Sequence, residues 1–378
     1  MNNQLMSLSK FGQSVWYDNI SRELLVSGEI KQLVENGISG LTSNPTIFEK
    51  AISSSHHYDE SLRSFGMDTY DDKTAYEMLA IEDIRTAAEI LRPVYDQTGS
   101  ADGYVCLEVS PYLAHDTQAT IDEAKRLFAT LNNPNVMIKV PATPEGIPAI
   151  KQLIAQGINI NVTLIFSLEA HRQVMDAYIS GLEDLSNNVE SLGHVSSVAS
   201  FFVSRLDTSI DKILAEMSDL GNKRAKDATG KAAISNAKLA YQSFEEVFTS
   251  TRFATLKAKG AKVQRPLWAS TGTKNPSYSD VLYVDNLIGP NTVNTMPPGT
   301  LTAFLDHGVP SQSLNQGIKQ AKETMDILSE LGIDVNSITD KLLHDGVQSF
   351  ADSFAELLKN VGNKRKSLSG EQISMAHQ

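Results

Sequence analysis

The chain has 378 residues, 41% of them hydrophobic, which is enough to bury one large core or two ordinary ones. Its 33 basic and 45 acidic residues give a formal net charge of -12, which argues against nucleic acid or an anionic membrane surface as the main partner. The single cysteine, Cys106, excludes an internal disulfide, and no apolar run is long enough to cross a membrane. Because the N-terminus lacks the basic and apolar segments of a secretory signal, we expect a cytoplasmic protein.

Eight short, mostly apolar runs recur along the chain, and helix-like segments separate them. This alternation predicts parallel strands joined by crossover helices. Since the eight units follow one another without a break in composition, we expect one domain over residues 1–362, folded as a closed (β/α)8 barrel of the TIM type. The runs occupy residues 14–20, 37–44, 103–110, 135–142, 159–167, 195–203, 265–270 and 291–296.

Three longer stretches do not fit the repeat of strand and helix. Residues 48–98 and 207–260 have the composition of helical insertions, and one of them could cap the barrel mouth. A further helical block at 311–361 follows the last predicted strand, and we expect it to pack back over the barrel. Residues 363–378 are polar and lack periodicity, which predicts a flexible tail.

Polar side chains stand at the ends of all eight predicted strands, which form the reactive face of such a barrel. In the fifth run, Asn161 and Thr163 alternate with apolar residues, so both are expected to point into the barrel mouth. In the sixth run, Ser200 and Phe202 are two residues apart and are therefore expected to share one face of the strand. Chance polarity at loop boundaries, or hydrogen bonding inside the barrel, is the alternative explanation. The strand-end residues are Asp18, Asn44, Glu108, Lys139, Thr163, Ser200, Ser270 and Asn294.

Lys139 lies in an otherwise apolar strand, at residues 136–141. Burying an ammonium group is costly, so these surroundings are expected to favour the neutral amine, which is the form that attacks a carbonyl. Alternatively, the lysine reaches solvent or pairs with a carboxylate. Glu108 and Asp18 could supply that pairing, or they could carry the proton transfers of carbinolamine formation and aldol cleavage.

Motifs for metals and organic cofactors are not found in the sequence. The eight histidines show no zinc-ligand spacing, and one cysteine cannot form a thiolate site. Residues 229–232 (TGKA) superficially resemble a phosphate loop, but Ala225 stands where its first glycine belongs. No glycine fingerprint for a dinucleotide follows the first strand. We therefore expect no cofactor.

Two segments resemble one known family. Residues 40–48 (GLTSNPTIF) resemble the first transaldolase signature, and residues 138–143 (IKVPAT) resemble the segment that carries that family's Schiff-base lysine. The resemblance continues through residues 157–167 and extends more loosely over most of the chain, whose length suits the longer bacterial subgroup.

The resemblance implies a class I aldolase-like barrel that acts on sugar phosphates in the pentose phosphate pathway. A dihydroxyacetone unit would pass from sedoheptulose 7-phosphate to glyceraldehyde 3-phosphate, giving erythrose 4-phosphate and fructose 6-phosphate. The resemblance implies no cofactor. We expect a monomer or a homodimer, because the sequence gives no clearer indication of the oligomeric state.

The resemblance also implies catalytic roles for four residues. Lys139 would form the Schiff base with C2 of the ketose, and Asp18 would accept the proton of the C4 hydroxyl as the C3–C4 bond breaks. Glu108 would move protons through a water molecule held by Thr163. The protonated imine would serve as the electron sink, so that the carbanion left by cleavage is stored as an enamine.

Substrate binding is expected to involve residues on both sides of the lysine. Asn44 and Asn161 would bind the dihydroxyacetone hydroxyls, and the substrate phosphate would meet Arg205 and Lys274. Lys274 stands where the shorter transaldolases carry an arginine, and a lysine binds phosphate as a point charge rather than as a planar fork. The expected binding residues are Asn44, Asn161, Ser200, Phe202, Arg205, Ser270 and Lys274.

Two other functions stay open at this point. The first is a Schiff-base aldolase that releases free dihydroxyacetone instead of transferring it. The second is a sugar-phosphate sensor or scaffold that keeps the pocket without catalysis. The presence of Asp18, Glu108 and Lys139 together argues against the second function.

Overall fold

The centre of the molecule is a closed barrel of eight parallel strands, each paired with the next in chain order and the last paired with the first. The computed structural model describes residues 4–65 and 69–376, and side chains as far as residue 369. The prediction of a closed (β/α)8 barrel is confirmed. The strands are β1 (Gln13–Tyr17), β2 (Ile38–Leu41), β3 (Tyr104–Glu108), β4 (Val136–Pro141), β5 (Ile160–Ile165), β6 (Ser197–Phe202), β7 (Arg265–Ala269) and β8 (Thr292–Met296).

Helices surround the barrel and also build the two insertions and the C-terminal block, as predicted. Two 3₁₀ turns, His56–Tyr58 and Pro111–Leu113, accompany them. The helices are α1 (Gln4–Lys10), α2 (Arg22–Val26), α3 (Glu29–Glu35), α4 (Pro45–Ser54), α5 (Asp59–Ser64), α6 (Asp72–Gln97), α7 (Thr117–Leu131), α8 (Gly146–Ile154), α9 (Leu168–Leu185), α10 (Ser204–Asp219), α11 (Lys223–Ala228), α12 (Ala232–Phe248), α13 (Thr251–Ala258), α14 (Leu282–Asn286), α15 (Pro298–His307), α16 (Ile318–Glu330) and α17 (Val335–Ala376).

Local sequence explains where several of these helices begin. Asp116 and Ser167 stand just before α7 and α9, and their side chains accept hydrogen bonds from Ala119 N at 2.9 Å and Ala170 N at 3.0 Å. These caps satisfy backbone N–H groups that have no partner inside the helix. None of the helices in the described ranges is long and apolar enough to span a bilayer.

The first two strands approach each other closely because Gly40 faces the indole ring of Trp16. A Cβ atom at Gly40 would lie 2.5 Å from that ring, so no larger residue fits without movement. Trp16 is fully buried, and its Nε1 donates to Asp102 at 2.7 Å. The close approach places the residues that follow β1 and β2 side by side at the barrel mouth.

The C-terminal helix α17 is 42 residues long and packs against α4, α6 and the mouth of the barrel. The boundary expected at residue 362 falls inside this helix, which continues as far as Ala376. The flexibility expected of residues 363–378 stays a prediction, and residues 377–378 lie outside the described residues. Lys364 pairs with Asp59 at 2.9 Å, and Arg365 pairs with Asp72 at 2.6 Å. Lys364 and Arg365 therefore connect this part of α17 to the first insertion, while the single-domain organisation stays a prediction.

Candidate active site

A cavity of about 180 Å³ opens at the C-terminal ends of the strands. Nine of the eleven predicted site residues line it, and the other two, Glu108 and Asn161, join its wall through Lys139 and Ser200. The lining residues are Asp18, Thr42, Asn44, Lys139, Thr163, Ser200, Phe202, Arg205, Ala269, Ser270, Gly272, Lys274, Thr295, Pro297 and Phe350.

Lys139 and Glu108 form a buried ion pair in the floor of this cavity. They are register partners on β4 and β3, with Lys139 Nζ 3.3 Å from Glu108 Oε2 and side-chain exposures of 7% and 6%. The ammonium also donates to the Ser43 carbonyl at 2.9 Å, and the Phe350 ring lies 6.0 Å away. Of the two alternatives for Lys139, the structure shows the carboxylate pairing and not the extension to solvent.

Burial shifts the pKa of Glu108 in the direction that favours a residue which both accepts and returns protons. It raises the pKa of the carboxyl, while the charge of Lys139 opposes that rise. Within the part of the chain that the structure describes, no hydrogen bond of good geometry reaches Glu108 Oε2 or Thr163 Oγ1, and both atoms are buried. Thr163 Oγ1, and Glu108 Oε2 beyond its ion pair with Lys139, can therefore each accept a hydrogen bond from a polar molecule.

Asp18 follows β1 and faces the same cavity. Thr42 Oγ1 donates to Asp18 Oδ1 at 2.6 Å, and the Asp18 backbone N–H donates to Met296 O at 2.9 Å. Burial raises the pKa of Asp18, and the Thr42 hydrogen bond and the charge of Lys139 lower it. Asp18 is thus held through its carboxylate by Thr42, which follows β2, and through its backbone by β8.

The amide side chains of Asn44 and Asn161 are oriented by their own neighbours. Asn44 caps α4, because its Oδ1 accepts from Ile47 N at 3.0 Å, which leaves its Nδ2 to donate elsewhere. Asn161 lies beneath the cavity, where its Oδ1 accepts from Ser200 Oγ at 2.7 Å and its Nδ2 donates to Cys106 Sγ at 3.3 Å. Hydrogen bonding inside the barrel, weighed above as an alternative, therefore accounts for part of the Asn161 side chain.

Two residues at the mouth hold strained backbone conformations. Leu164 has φ 58° and Ser270 has φ 56°, in the left-handed region that residues other than glycine seldom adopt. The β5–β6 register shifts between Val162 and Ile165, so the strict alternation predicted for the fifth run ends at Thr163. Ser270 is held by a 2.9 Å hydrogen bond between its Oγ and Ser204 Oγ.

Two cations border the cavity on the side of α10. The Arg205 guanidinium lies 5.4 Å from the centre of the Phe202 ring, and no carboxylate of the described residues pairs with it. Burial lowers the pKa of Arg205. Lys274 is exposed in the loop after β7 and borders both this cavity and a neighbouring one that contains Asp207 and Asp211. Both cations are placed to meet an anionic ligand.

Sequence reasoning missed six lining residues, namely Thr42, Ala269, Gly272, Thr295, Pro297 and Phe350. The strand-end residue predicted for β8, Asn294, lies below the cavity with its Oδ1 accepting from Thr271 Oγ1 at 3.1 Å, and Thr295 reaches the mouth instead. The polarity of Thr42 and Thr295 near strand ends could have indicated them. No sequence signal placed Phe350, which comes from α17. No group of three or more His, Cys, Asp or Glu side chains in the described ranges is arranged to hold a metal ion.

The family model described as transaldolase/fructose-6-phosphate aldolase matches residues 15–361, which is most of the chain. The chain belongs to this family. It is 46% identical over 379 residues to a protein named transaldolase 2 from Nostoc sp. strain PCC 7120, covering 97% of this chain and 99% of that one. It is 47% identical over 362 residues to a transaldolase from Saccharopolyspora erythraea, covering 95% and 97%.

Membership of the transaldolase family confirms the resemblance found in residues 40–48 and 138–143. A transaldolase 2 from Streptomyces coelicolor shows the same relationship, with 46% identity over 370 residues, 97% of this chain and 99% of that one. The protein is therefore an enzyme of the transferase class, as predicted. Sugar phosphates are the substrates that the transaldolase family implies.

Proposed function

We propose that this protein is a transaldolase that transfers a dihydroxyacetone unit from sedoheptulose 7-phosphate to glyceraldehyde 3-phosphate through a Schiff base on Lys139. The observation that carries the proposal is the lysine itself, shielded from water and 3.3 Å from the Glu108 carboxylate at the barrel mouth. A nucleophilic amine needs a nearby group that takes its proton, and Glu108 is that group.

The first half of the reaction forms the imine. Glu108 takes a proton from the Lys139 ammonium, and the neutral amine adds to C2 of the ketose to give a carbinolamine. The carbinolamine hydroxyl then leaves as water after receiving a proton from Glu108 by way of a water molecule held by Thr163. The raised pKa of Glu108 supports this role, because a carboxyl that holds its proton more firmly can return it.

The second half breaks and remakes a carbon–carbon bond. Asp18 accepts the proton of the C4 hydroxyl, the C3–C4 bond breaks, and its electron pair moves into the protonated imine to give an enamine on Lys139. Erythrose 4-phosphate leaves, glyceraldehyde 3-phosphate binds, and the same steps in reverse give fructose 6-phosphate. Asn44 would help to retain the dihydroxyacetone unit, because its Nδ2 is left to donate to a substrate hydroxyl. Asn161 and Ser200 would bind the same unit from the side of β5 and β6.

Arg205 and Lys274 are proposed to bind the substrate phosphate beside Ser270, against the Phe202 ring. An arginine without a carboxylate partner among the described residues supports this role, because a phosphate would compensate its charge. The proposal places the reaction in the pentose phosphate pathway, and it keeps the cytoplasmic location and the monomeric or homodimeric state expected from the sequence.

Borohydride reduction in the presence of fructose 6-phosphate tests the proposal most directly. The hydride converts the imine to a stable secondary amine, so peptide mass mapping should find the added three-carbon unit on Lys139. The matched control, Lys139→Met, should give no adduct. An adduct on another lysine, or none on the unmodified protein, contradicts the mechanism.

Acceptor dependence separates transfer from the aldolase alternative. With fructose 6-phosphate alone we expect little free dihydroxyacetone, and with erythrose 4-phosphate added we expect sedoheptulose 7-phosphate. The relatives reported above are all named transaldolases, which supports transfer. Rapid release of dihydroxyacetone without an acceptor favours the aldolase instead.

A further inference from the structure

We propose that Thr42 and Thr295 are positioning residues that hold Asp18 through its Oδ1 atom and leave its Oδ2 atom to act as the base. The inference deepens the proposed function, because it rests on Asp18 accepting the C4 hydroxyl proton. Neither threonine belongs to the residues predicted from the sequence.

The three side chains form a short chain of hydrogen bonds across β8, β2 and β1. Thr295 Oγ1 lies 2.6 Å from Thr42 Oγ1, and Thr42 Oγ1 lies 2.6 Å from Asp18 Oδ1. Thr42 and Thr295 are each only 3% exposed, so water does not compete freely for either hydroxyl. Both distances are short for hydrogen bonds between oxygen atoms, which suits a charged acceptor at the end of the chain.

The available hydroxyl protons determine the direction of these hydrogen bonds. An ionised Asp18 can only accept, so Thr42 must give it the one hydroxyl proton that it has. The Thr42 oxygen can then only accept from Thr295, which becomes the first donor. Among the described residues, none donates a hydrogen bond to Asp18 Oδ2. Oδ1 is therefore occupied, and Oδ2 is the oxygen that can take a substrate proton.

Backbone contacts hold all three residues in register. Thr42 N donates to Tyr17 O at 2.9 Å, and Asp18 N donates to Met296 O at 2.9 Å. The contact between Gly40 and Trp16 fixes the spacing of β1 and β2 below them. The threonines therefore have little freedom to reorient. Burial raises the pKa of Asp18, and the hydrogen bond from Thr42 opposes that rise, so the Thr42 hydroxyl favours the basic form of the carboxylate.

The pH profile of kcat/KM for fructose 6-phosphate with erythrose 4-phosphate tests the inference. Thr42→Val keeps the shape of the side chain and removes the donor, so the acid limb should move to higher pH and activity near neutral pH should fall about tenfold. Thr42→Ser restores the hydroxyl and should restore the profile. Thr295→Val removes only the first donor and should move the acid limb in the same direction by a smaller amount.

Thr120→Val is the matched control, because Thr120 is a buried threonine on α7 that donates to Leu113 O at 2.9 Å and makes no hydrogen bond to Asp18, Thr42 or Thr295. It should lower the melting temperature without moving the acid limb. An unchanged acid limb in Thr42→Val, or an equal shift in Thr120→Val, overturns the inference. If Thr42→Val does not fold, Thr295→Val decides the question on the same criterion.

Borohydride trapping separates failure of the inference from failure of the proposed function. Imine formation precedes the step that uses Asp18, so Thr42→Val should still give the Lys139 adduct with fructose 6-phosphate. If the unmodified protein gives no such adduct, the proposed function and the inference both fail. If every variant gives the adduct and the pH profiles coincide, only the positioning role of the threonines fails.

Discussion

The two cations at the barrel mouth differ in how much water surrounds them. Arg205 is partly buried against Phe202, whereas Lys274 is exposed in the loop after β7. A charge removed from water gains more from an anionic ligand than an exposed one, whose interaction is weakened by solvent and salt. Arg205 should therefore dominate phosphate binding, with Lys274 as a weaker, salt-dependent second contact.

Substitution of the two cations should separate these contributions. Arg205→Gln should raise KM for fructose 6-phosphate by about 100-fold, the effect of losing one partner of a desolvated charge pair. Lys274→Gln should raise it by up to about fivefold, and more at low ionic strength. Lys212→Gln is the control, because Lys212 borders only the neighbouring cavity. If Lys274→Gln matches Lys212→Gln at low salt, Lys274 does not bind the phosphate.

Strand periodicity predicted which side chains face the barrel mouth, because alternation is a property of the extended backbone. Thr163 and Ser200 could be placed in this way, whereas Lys139 was identified as a charged residue in an otherwise apolar strand. The method failed at β8, where an offset of one residue exchanges Asn294 for Thr295. It also failed beyond Thr163, where the left-handed conformation of Leu164 is imposed by tertiary structure. The catalytic roles of the residues at the mouth stay a prediction.

The elements of the second helical insertion are tied together by a buried carboxylate. Asp207 on α10 accepts from Ala233 N, at the start of α12, at 2.7 Å and from Tyr283 OH, on α14, at 2.9 Å. In the described ranges no cation pairs with it. Burial raises the pKa of Asp207 to about 6, with the nearby Asp211 acting in the same direction. We therefore expect the stability of this junction to depend on pH.

Asp207→Asn should change how stability depends on pH. The folded protein holds a proton on Asp207 up to about pH 6, whereas the ordinary value is 3.8. The stabilisation that the protonated Asp207 contributes is therefore full below about pH 4 and is lost as pH rises through 6. The free energy of unfolding falls by about 3 kcal/mol over this range. Urea unfolding should therefore show that, between pH 4 and pH 7, the free energy of unfolding of Asp207→Asn rises by that amount relative to that of the unmodified protein. Tyr283→Phe removes a hydrogen-bond donor to Asp207 and should therefore make stability depend more strongly on pH. If Asp207→Asn changes stability by the same amount at both pH values, Asp207 is not responsible for the pH dependence.

The sequence indicated elements more reliably than their ends. The run predicted at residues 37–44 contains β2, which already stops at Leu41, because Asn44 begins α4 as its cap. Residues 363–376 lack apolar periodicity and yet are helical, since Lys364 and Arg365 find carboxylates on segments far away in the chain. Such partners cannot be identified from one sequence, because they depend on how the chain folds back.

At the scale of the whole molecule, the C-terminal helix α17 returns to cover a mouth whose other lining residues lie between Asp18 and Pro297. The helical block predicted to pack over the barrel does so through α17, which contacts α4, α6, α10 and β5. Phe350 faces Lys139 across 6.0 Å, and Phe354, one turn later, packs edge-on against Tyr76 and Tyr112. The Phe350 ring lines the cavity, whereas the Phe354 ring lines a small separate pocket beneath the helix that also contains Tyr76 and Glu108.

Substitution of Phe350 and of Phe354 tests whether α17 protects the enamine from water. Phe350→Ala should admit water to the enamine, whose carbon is then protonated and whose imine is hydrolysed. With fructose 6-phosphate and no acceptor, release of free dihydroxyacetone should rise relative to transfer to erythrose 4-phosphate. Phe354→Ala removes an equal volume from the same helix, so both variants should lose roughly 3–5 kcal/mol of stability. Only Phe350→Ala should change the ratio of release to transfer. An equal change in both variants would mean that general loosening of α17 is responsible, and no change in either would mean that water is excluded by other groups.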